Sequence, residues 1–146
     1  MTHKITPPNI YLAQLSEELG LGSFSTSTFT EGETVEAAPV IVLTEKYKNL
    51  PEEIKHRVYN WGRLTRTKPD TSLALAQGYG SHYNHSDTPN LMYQADAKSM
   101  TINFIARRDI EPDEQLTIHY NQNTDGTLPK KTSWFKNKNT TVVVFL

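Results

Sequence analysis

A single domain built mostly of β-strands is what this sequence predicts, and three observations carry the expectation. Its apolar runs are of strand length and are separated by Gly, Pro, Asn and Asp turn signals. Only one stretch changes to a helical period. The composition, 36% hydrophobic and 21% charged over 146 residues, is that of one globular domain with its own core. No internal repeat, low-complexity block or domain linker interrupts it.

Ile10 to Leu15 follows Pro7-Pro8 and reads as a strand or as the start of a short helix, since its periodicity fits both. Gly20-Leu21-Gly22 is expected to break regular structure; two glycines let a backbone approach a ligand closely, and a plain turn is the other reading. Residues 23–29, rich in Ser, Thr and Phe, and residues 34–43 read as two strands joined by a tight turn at Thr30-Glu31-Gly32-Glu33. Pro39 cannot donate to a ladder, so it belongs at an edge, a bulge or a break between two short strands. From Pro51 the apolar Ile54, Val58 and Trp61 share one face, which predicts an amphipathic helix that opens on a proline and two acids and closes at Gly62. Residues 63–72 form a polar connection whose basic residues read as solvated surface.

Further along, residues 91–95 and 100–106 flank Asp96-Ala97-Lys98-Ser99 as a hairpin. Residues 107–114 are a turn-rich link, and residues 115–120 are another short strand. The polar, Lys-rich stretch 121–139 is broken by Trp134-Phe135, and residues 142–146 read as a closing strand.

Charge and composition exclude several classes of function. Fifteen Lys and Arg against sixteen Asp and Glu give a formal charge of −1, so the field that draws a protein to nucleic acid is missing, and no direct nucleic-acid partner is expected. The absence of cysteine removes disulfides, Cys-ligated zinc and a thiol nucleophile. The start lacks the apolar run of a signal peptide and no segment reaches the length of a membrane span, which makes the cytoplasm the expected location and a membrane an unexpected partner. In a eukaryote that would extend to the nucleus, and for a viral or otherwise delivered protein to the host cell.

The densest stretch of chemistry is residues 78–90, Gly-Tyr-Gly-Ser-His-Tyr-Asn-His-Ser-Asp-Thr-Pro-Asn. It has too little apolar periodicity for a helix or a strand, yet it carries donors, acceptors and flat aromatic faces, the profile of a binding loop. Metal binding through His82, His85 and His119 has no His-x-x-x-His or carboxylate spacing to support it, and no metal is expected.

Three separated pieces share an order: Gly20-Leu21-Gly22-Ser23-Phe24, then Tyr83-Asn84-His85-Ser86 with Pro89-Asn90, then residues 113–120, Asp-Glu-Gln-Leu-Thr-Ile-His-Tyr. In this order they resemble the SET-domain family of protein-lysine N-methyltransferases, and in particular its compact stand-alone bacterial and viral members. Residues 39–43, Pro-Val-Ile-Val-Leu, and the Trp-Phe pair add to the likeness, which runs from about Leu19 to Phe135. The resemblance implies residues 19–136 as the SET domain, with 1–18 as an N-terminal extension packing on it and 137–146 as a C-terminal tail or strand. It also implies small, mostly antiparallel sheets with one or two short helices and a C-terminal pseudoknot, a threading that connection rules alone would not produce.

The same resemblance implies transfer of a methyl group from S-adenosylmethionine, released as S-adenosylhomocysteine, to a lysine of a protein substrate. Tyr120 matches the catalytic tyrosine. Gly20, Leu21, Gly22, Ser23, Tyr83, Asn84 and His85 would bind the cofactor, with Trp134 or Phe135 stacked over its adenine. Tyr79, Ile118 and Tyr120 would line the lysine channel; for Tyr79 and Tyr83 simple packing is the alternative. Ile118 stands where several relatives carry a Phe or Tyr that tunes methylation number, so that number is open. Glu114 fits an acidic position with a structural hydrogen bond. Closing the channel without a zinc-bound tail would fall to residues 121–135 or to a second subunit in a homodimer. A catalytically inactive, peptide-binding SET-like module is the competing reading, and the intact Asn84-His85 and Tyr120 argue against it.

Overall fold

The computed structural model describes residues 4–130 of the chain. Among them, strands β1 (Ile10–Ser16), β2 (Gly20–Ser25), β3 (Thr34–Leu43), β4 (Val58–Tyr59), β5 (Leu73–Ala76), β6 (Asn84–His85), β7 (Leu91–Asp96), β8 (Thr101–Ala106) and β9 (Gln115–Ile118) are accompanied by two one-turn helices, α1 (Glu52–Lys55) and α2 (Trp61–Thr65). The strands form a four-stranded sheet in the order β1-β2-β9-β6 and a five-stranded sheet in the order β4-β5-β3-β8-β7. All pairings are antiparallel except β6 with β9. The expected fold class, mostly β with one or two short helices, is the observed one. The closing strand expected over 142–146 lies outside the described residues.

The ambiguity at Ile10 resolves to a strand because a partner is available. β1 pairs with β2 from Ile10 opposite Ser25 to Ser16 opposite Gly20, and Tyr11 stacks on Phe24 across the ladder, ring centres 5.4 Å apart. Gly20-Leu21-Gly22, expected to break regular structure, instead lies within β2. A side chain on Gly22 would stand 3.0 Å from Gln115 Oε1 and 3.3 Å from Leu15 Cδ1, so the glycine serves close packing against β1 and β9.

The hairpin expected between residues 23–29 and 34–43 does not form. The turn is present, with Glu33 N–H donating to Thr30 O and Gly32 at φ 89°, but it carries the chain from one sheet to the other. β2 gives its free edge to β9, and β3 pairs with β8 and β5. β3 is also continuous through Pro39. Residues Thr34 to Pro39 pair with β8 and Val40 to Leu43 with β5, so the residue lacking an N–H sits where the ladder changes partner.

The single helix expected from Pro51 to Gly62 is replaced by α1, β4 and α2. Its apparent stripe belongs to two separate packings: Ile54 and Val58 join Leu50 and Leu73 in a small satellite cluster, whereas Trp61 enters the main core. The β-branched Val58 and aromatic Tyr59 are buried as strand residues against Leu75 and Ala74, which outweighs a helical period in so short a segment. Asn60 then caps α2, its side-chain oxygen accepting from Arg63 N–H at 3.5 Å. Gly62 lies inside α2 rather than ending the helix, and glycine is needed there because a Cβ would come within 2.3 Å of Pro69 O.

The hairpin of β7 and β8 is as expected, with Asp96 Oδ1 accepting from Lys98 and Ser99 N–H in its turn. β9 ends two residues before the expected Tyr120. Its position matters most for function: this late strand is inserted between β2 and β6, the arrangement the pseudoknot requires.

Candidate active site

The insertion of β9 brings the three sequence motifs onto one seam. Ser23 and Phe24 of β2 face Leu116 and Gln115 on one edge of β9, while Asn84 and His85 of β6 face Thr117 and Ile118 on the other. Side chains then bolt the seam. Asn90 donates from Nδ2 to Gln115 O (2.9 Å) and to Glu114 Oε2 (3.2 Å), and its Oδ1 accepts from Thr117 N–H (2.9 Å). Glu114 also accepts from Glu111 N–H and from Arg108, so it is a structural hydrogen-bonding residue, as expected. Burial pushes its carboxyl up, but the bonds from Glu111, Arg108 and Asn90 outweigh this and leave it below its ordinary range.

Asn84 is the central clamp. Its Nδ2 donates to Leu21 O (3.1 Å) on β2 and to Gln115 Oε1 (3.0 Å) on β9. Its Oδ1, also buried, has no hydrogen-bond partner among the described residues. A buried acceptor left in this state costs about 1–3 kcal/mol, so the position suits a ligand that brings a donor. The methionine end of S-adenosylmethionine carries an ammonium, a donor of the required kind, and the neighbouring strand brings a backbone carbonyl, Leu21 O, to the same asparagine. The residues present therefore fit this cofactor. Ser23 is fully buried and donates from Oγ to His82 O at 3.4 Å, whereas the Leu21 side chain is 40% exposed.

Tyr120 follows β9, 2% exposed, and its hydroxyl lies 3.5 Å from the carbonyl of Tyr83. Its backbone N–H donates to His85 Nδ1 at 3.1 Å. The next turn is fixed from the second sheet. Tyr93 OH donates to His119 O (3.1 Å), and Gln122 exchanges hydrogen bonds with the Tyr93 backbone while accepting from Arg107. Gln122 and Arg107 were not recognised in sequence, being one polar residue in a polar stretch and one of two adjacent arginines.

Tyr83 turns its ring into the core, where it packs on Phe104 and donates its hydroxyl to Glu36 Oε1 at 2.6 Å. Only its backbone faces Tyr120. Tyr79 is half-buried and its N–H donates to the other Glu36 oxygen at 2.8 Å. Ile118 is fully buried in β9. Glu36 is a further residue missed in sequence: it lies between the buried Val35 and the apolar rest of β3, at a register shift, and a carboxylate so placed is itself a signal. Burial raises its pKa, and the bonds from Tyr83 and Tyr79 oppose that rise. Gly78, at φ 64°, has its Cβ position 2.5 Å from Glu36 Oε2, so the loop closes on the carboxylate only with glycine there.

His85 and His119 come together with Asp87, and His82 stays outside this group. His85 Nε2 is 2.9 Å and His119 Nε2 3.7 Å from Asp87 Oδ1. Burial, with Arg107 and His85 adding to it and Asp87 opposing, holds His119 down to about 4; half-buried His82 is lowered by burial and Arg57. Trp134 and Phe135 lie outside the described residues.

A seam of glycine-rich strand, clamped asparagine and buried tyrosine on curled β-sheets defines a cofactor-dependent transferase of the SET type. The sequence matches the SET domain over residues 20–121, and the chain belongs to that family. It is a protein-lysine methyltransferase, and enzymes of this family use S-adenosylmethionine. The chain is 27% identical over 106 residues to a histone-lysine N-methyltransferase of Schizosaccharomyces pombe specific for H3 lysine 37, a match covering 72% of this chain and 69% of that one. A solved Plasmodium falciparum structure described as a histone methyltransferase matches with TM-score 0.59 and 26% identity, over 80% of this chain and 95% of that one. A chain of ctPRC2, bound to S-adenosylmethionine in an autoinhibited conformation, has the same fold, with TM-score 0.59 and 19% identity over 81% of this chain and 16% of its own length.

Proposed function

We propose that Tyr120 is the catalytic residue of this methyltransferase, and that the seam of Gly20, Leu21, Gly22, Ser23, Asn84 and His85 holds the methyl donor. The observation carrying this reading is the buried Oδ1 of Asn84, without a hydrogen-bond partner among the described residues and one residue from the carbonyl that faces the Tyr120 hydroxyl. When bound, S-adenosylmethionine supplies an electrophilic methyl on a cationic sulfur. What this chain supplies is position and dryness. A lysine amine with an ordinary pKa near about 10.4 must first lose its proton, and entry into a channel walled by Tyr120 and its buried surroundings disfavours the ammonium. Tyr120 donates towards Tyr83 O, and a hydroxyl also carries acceptor lone pairs, which can take a hydrogen bond from the amine and aim the nitrogen lone pair. Holding the reacting atoms at roughly 3 Å in line is then most of the rate enhancement.

Tyr79, half-buried against the core with its N–H on Glu36, is in this proposal a wall of the lysine channel, while Tyr83 serves through its backbone carbonyl. The substrate in this proposal is a protein with an accessible lysine, and the histone specificity of the relatives makes core histones the first substrates to offer. A homodimer is the proposed way to complete the channel, and analytical ultracentrifugation reports on it. The proposal is tested by calorimetry with S-adenosylmethionine, followed by incubation with histones and mass spectrometry of the products. Stoichiometric binding and added methyl groups on lysine are expected; no binding and no product would contradict it.

A further inference from the structure

Behind Tyr120, Asp87 and His119 join His85 in one group of side chains. His85 Nδ1 accepts the N–H of Tyr120 at 3.1 Å, and His119 Nδ1 accepts the N–H of Asn121 at 3.0 Å. A ring nitrogen that accepts a hydrogen bond carries no proton, so each neutral imidazole holds its hydrogen on Nε2. Both Nε2 atoms face one oxygen, Asp87 Oδ1, at 2.9 Å and 3.7 Å. The two rings meet edge to face with centres 4.5 Å apart, and both are buried. The cluster has the composition of a cation site, but a cation would need the Nε2 lone pairs, which forces the protons onto Nδ1 and against two backbone N–H donors.

We propose that Asp87 is a positioning residue for Tyr120: it fixes the tautomer and ring orientation of His85, and through the His85 Nδ1 atom the backbone at residue 120, with the His119 ring packed edge to face against the same imidazole. The inference rests on the reading of Tyr120 as the catalytic residue. The His85 ring can present Nδ1 as an acceptor in only one neutral tautomer. Asp87 stabilises that tautomer by accepting from its other nitrogen, the role an orienting carboxylate plays behind a working imidazole. With the carboxylate gone, the proton is free to move to Nδ1, where it meets the Tyr120 N–H donor to donor and displaces the end of β9. Among the described residues, the groups facing the pair include Asp87, Arg107 and the Tyr120 ring, 5.0 Å from His85. His119, held down to about 4 chiefly by burial, stays neutral through the working range, with its Nε2 3.7 Å from Asp87 Oδ1, beyond hydrogen-bond distance.

The test combines Asp87→Asn kinetics with nitrogen NMR of the histidine rings in the full-length protein. The wild type should show both His85 and His119 as the Nε2–H tautomer. Asp87→Asn should lower kcat by about tenfold to hundredfold, the effect of a displacement of the order of 1 Å, with KM for the protein substrate within about threefold. Its His85 signal should shift towards the Nδ1–H form. A wild-type His85 that is Nδ1–H or cationic overturns the proposal even if the variant does not fold. So does an Asp87→Asn enzyme with unchanged kcat, or zinc binding that shifts both Nε2 signals. If Tyr120→Phe keeps full rate, the catalytic assignment fails on its own, while the tautomer measurement still reports on Asp87.

Discussion

Replacing Glu36 with Gln should cost both stability and rate, although the residue lies on β3, 47 positions before Tyr83 in the chain. The carboxylate is 5% exposed and takes two donors, Tyr83 OH at 2.6 Å and Tyr79 N–H at 2.8 Å. A glutamine has one acceptor oxygen, so whichever donor it keeps, its amide N–H₂ faces the other. Losing one hydrogen bond to a buried charged group costs about 1.5–3 kcal/mol. At about 2–4 °C per kcal/mol for a domain of this size, the midpoint of thermal unfolding should fall by about 3–12 °C. The same loop carries the carbonyl that faces Tyr120, so kcat should fall with it. Tyr83→Phe removes the competing donor, and in Glu36→Gln/Tyr83→Phe the glutamine oxygen serves Tyr79 alone. The double variant should therefore be more stable than the sum of the singles by about 1 kcal/mol. Urea denaturation of the four proteins measures this. Single effects below about 0.5 kcal/mol, or strict additivity, would refute the anchoring role.

The remaining predictions concern pH, cofactor affinity and packing. Burial raises the Glu36 carboxyl, so the folded protein keeps that proton to a higher pH than the unfolded chain, and the stability it contributes is lost as pH rises through the folded value. The gap between wild type and Glu36→Gln should then be wider in mildly acid solution than at neutral pH, as pH-resolved denaturation will show. His119 has the opposite sign. Its folded pKa of about 4 lies below the ordinary 6.5, so its contribution is complete above 6.5 and is lost as pH falls towards 4; His119→Gln should flatten that slope. Asn84→Ala removes the acceptor offered to the cofactor and the clamp between β2 and β9, and calorimetry should find S-adenosylmethionine affinity reduced by about tenfold or more. Gly62→Ala places a methyl 2.3 Å from Pro69 O, backbone that cannot swing away, and should destabilise by about 1–3 kcal/mol, measured by thermal unfolding.

The sequence made the strand-rich class and the β7–β8 hairpin legible, because each rests on local signals, alternation and an Asp-led turn; that the three separated motifs form one site followed from the resemblance to the SET family, since no local signal carries the insertion of β9 between β2 and β6. It misled where partners are distant. Val58 and Tyr59 fit a helical stripe in one dimension, but they pair with β5, a strand 14 or more residues later. The turn at 30–33 looks like a hairpin turn because nothing local reveals that β9 occupies the edge of β2. Glu36 escaped notice for the same reason, since its two donors come from a loop beyond the reach of any local pattern. For Tyr83 the choice between packing and site, left open by the residues themselves, is made only in three dimensions: its ring packs on Phe104 in the core and its carbonyl faces the Tyr120 hydroxyl, while Tyr79 is half-buried against the same core.

The most direct test of the account compares Tyr120→Phe with the wild type in one assay, measuring S-adenosylmethionine binding by calorimetry and methyl transfer to histone lysine by mass spectrometry. The phenylalanine keeps the buried ring beside His85 and removes only the hydroxyl facing Tyr83 O. Cofactor affinity should stay within about threefold, while the transfer rate falls by about a hundredfold or more, the loss expected when a group acts on the reacting atoms and not on binding. A Tyr120→Phe enzyme that methylates at the wild-type rate would contradict the assignment.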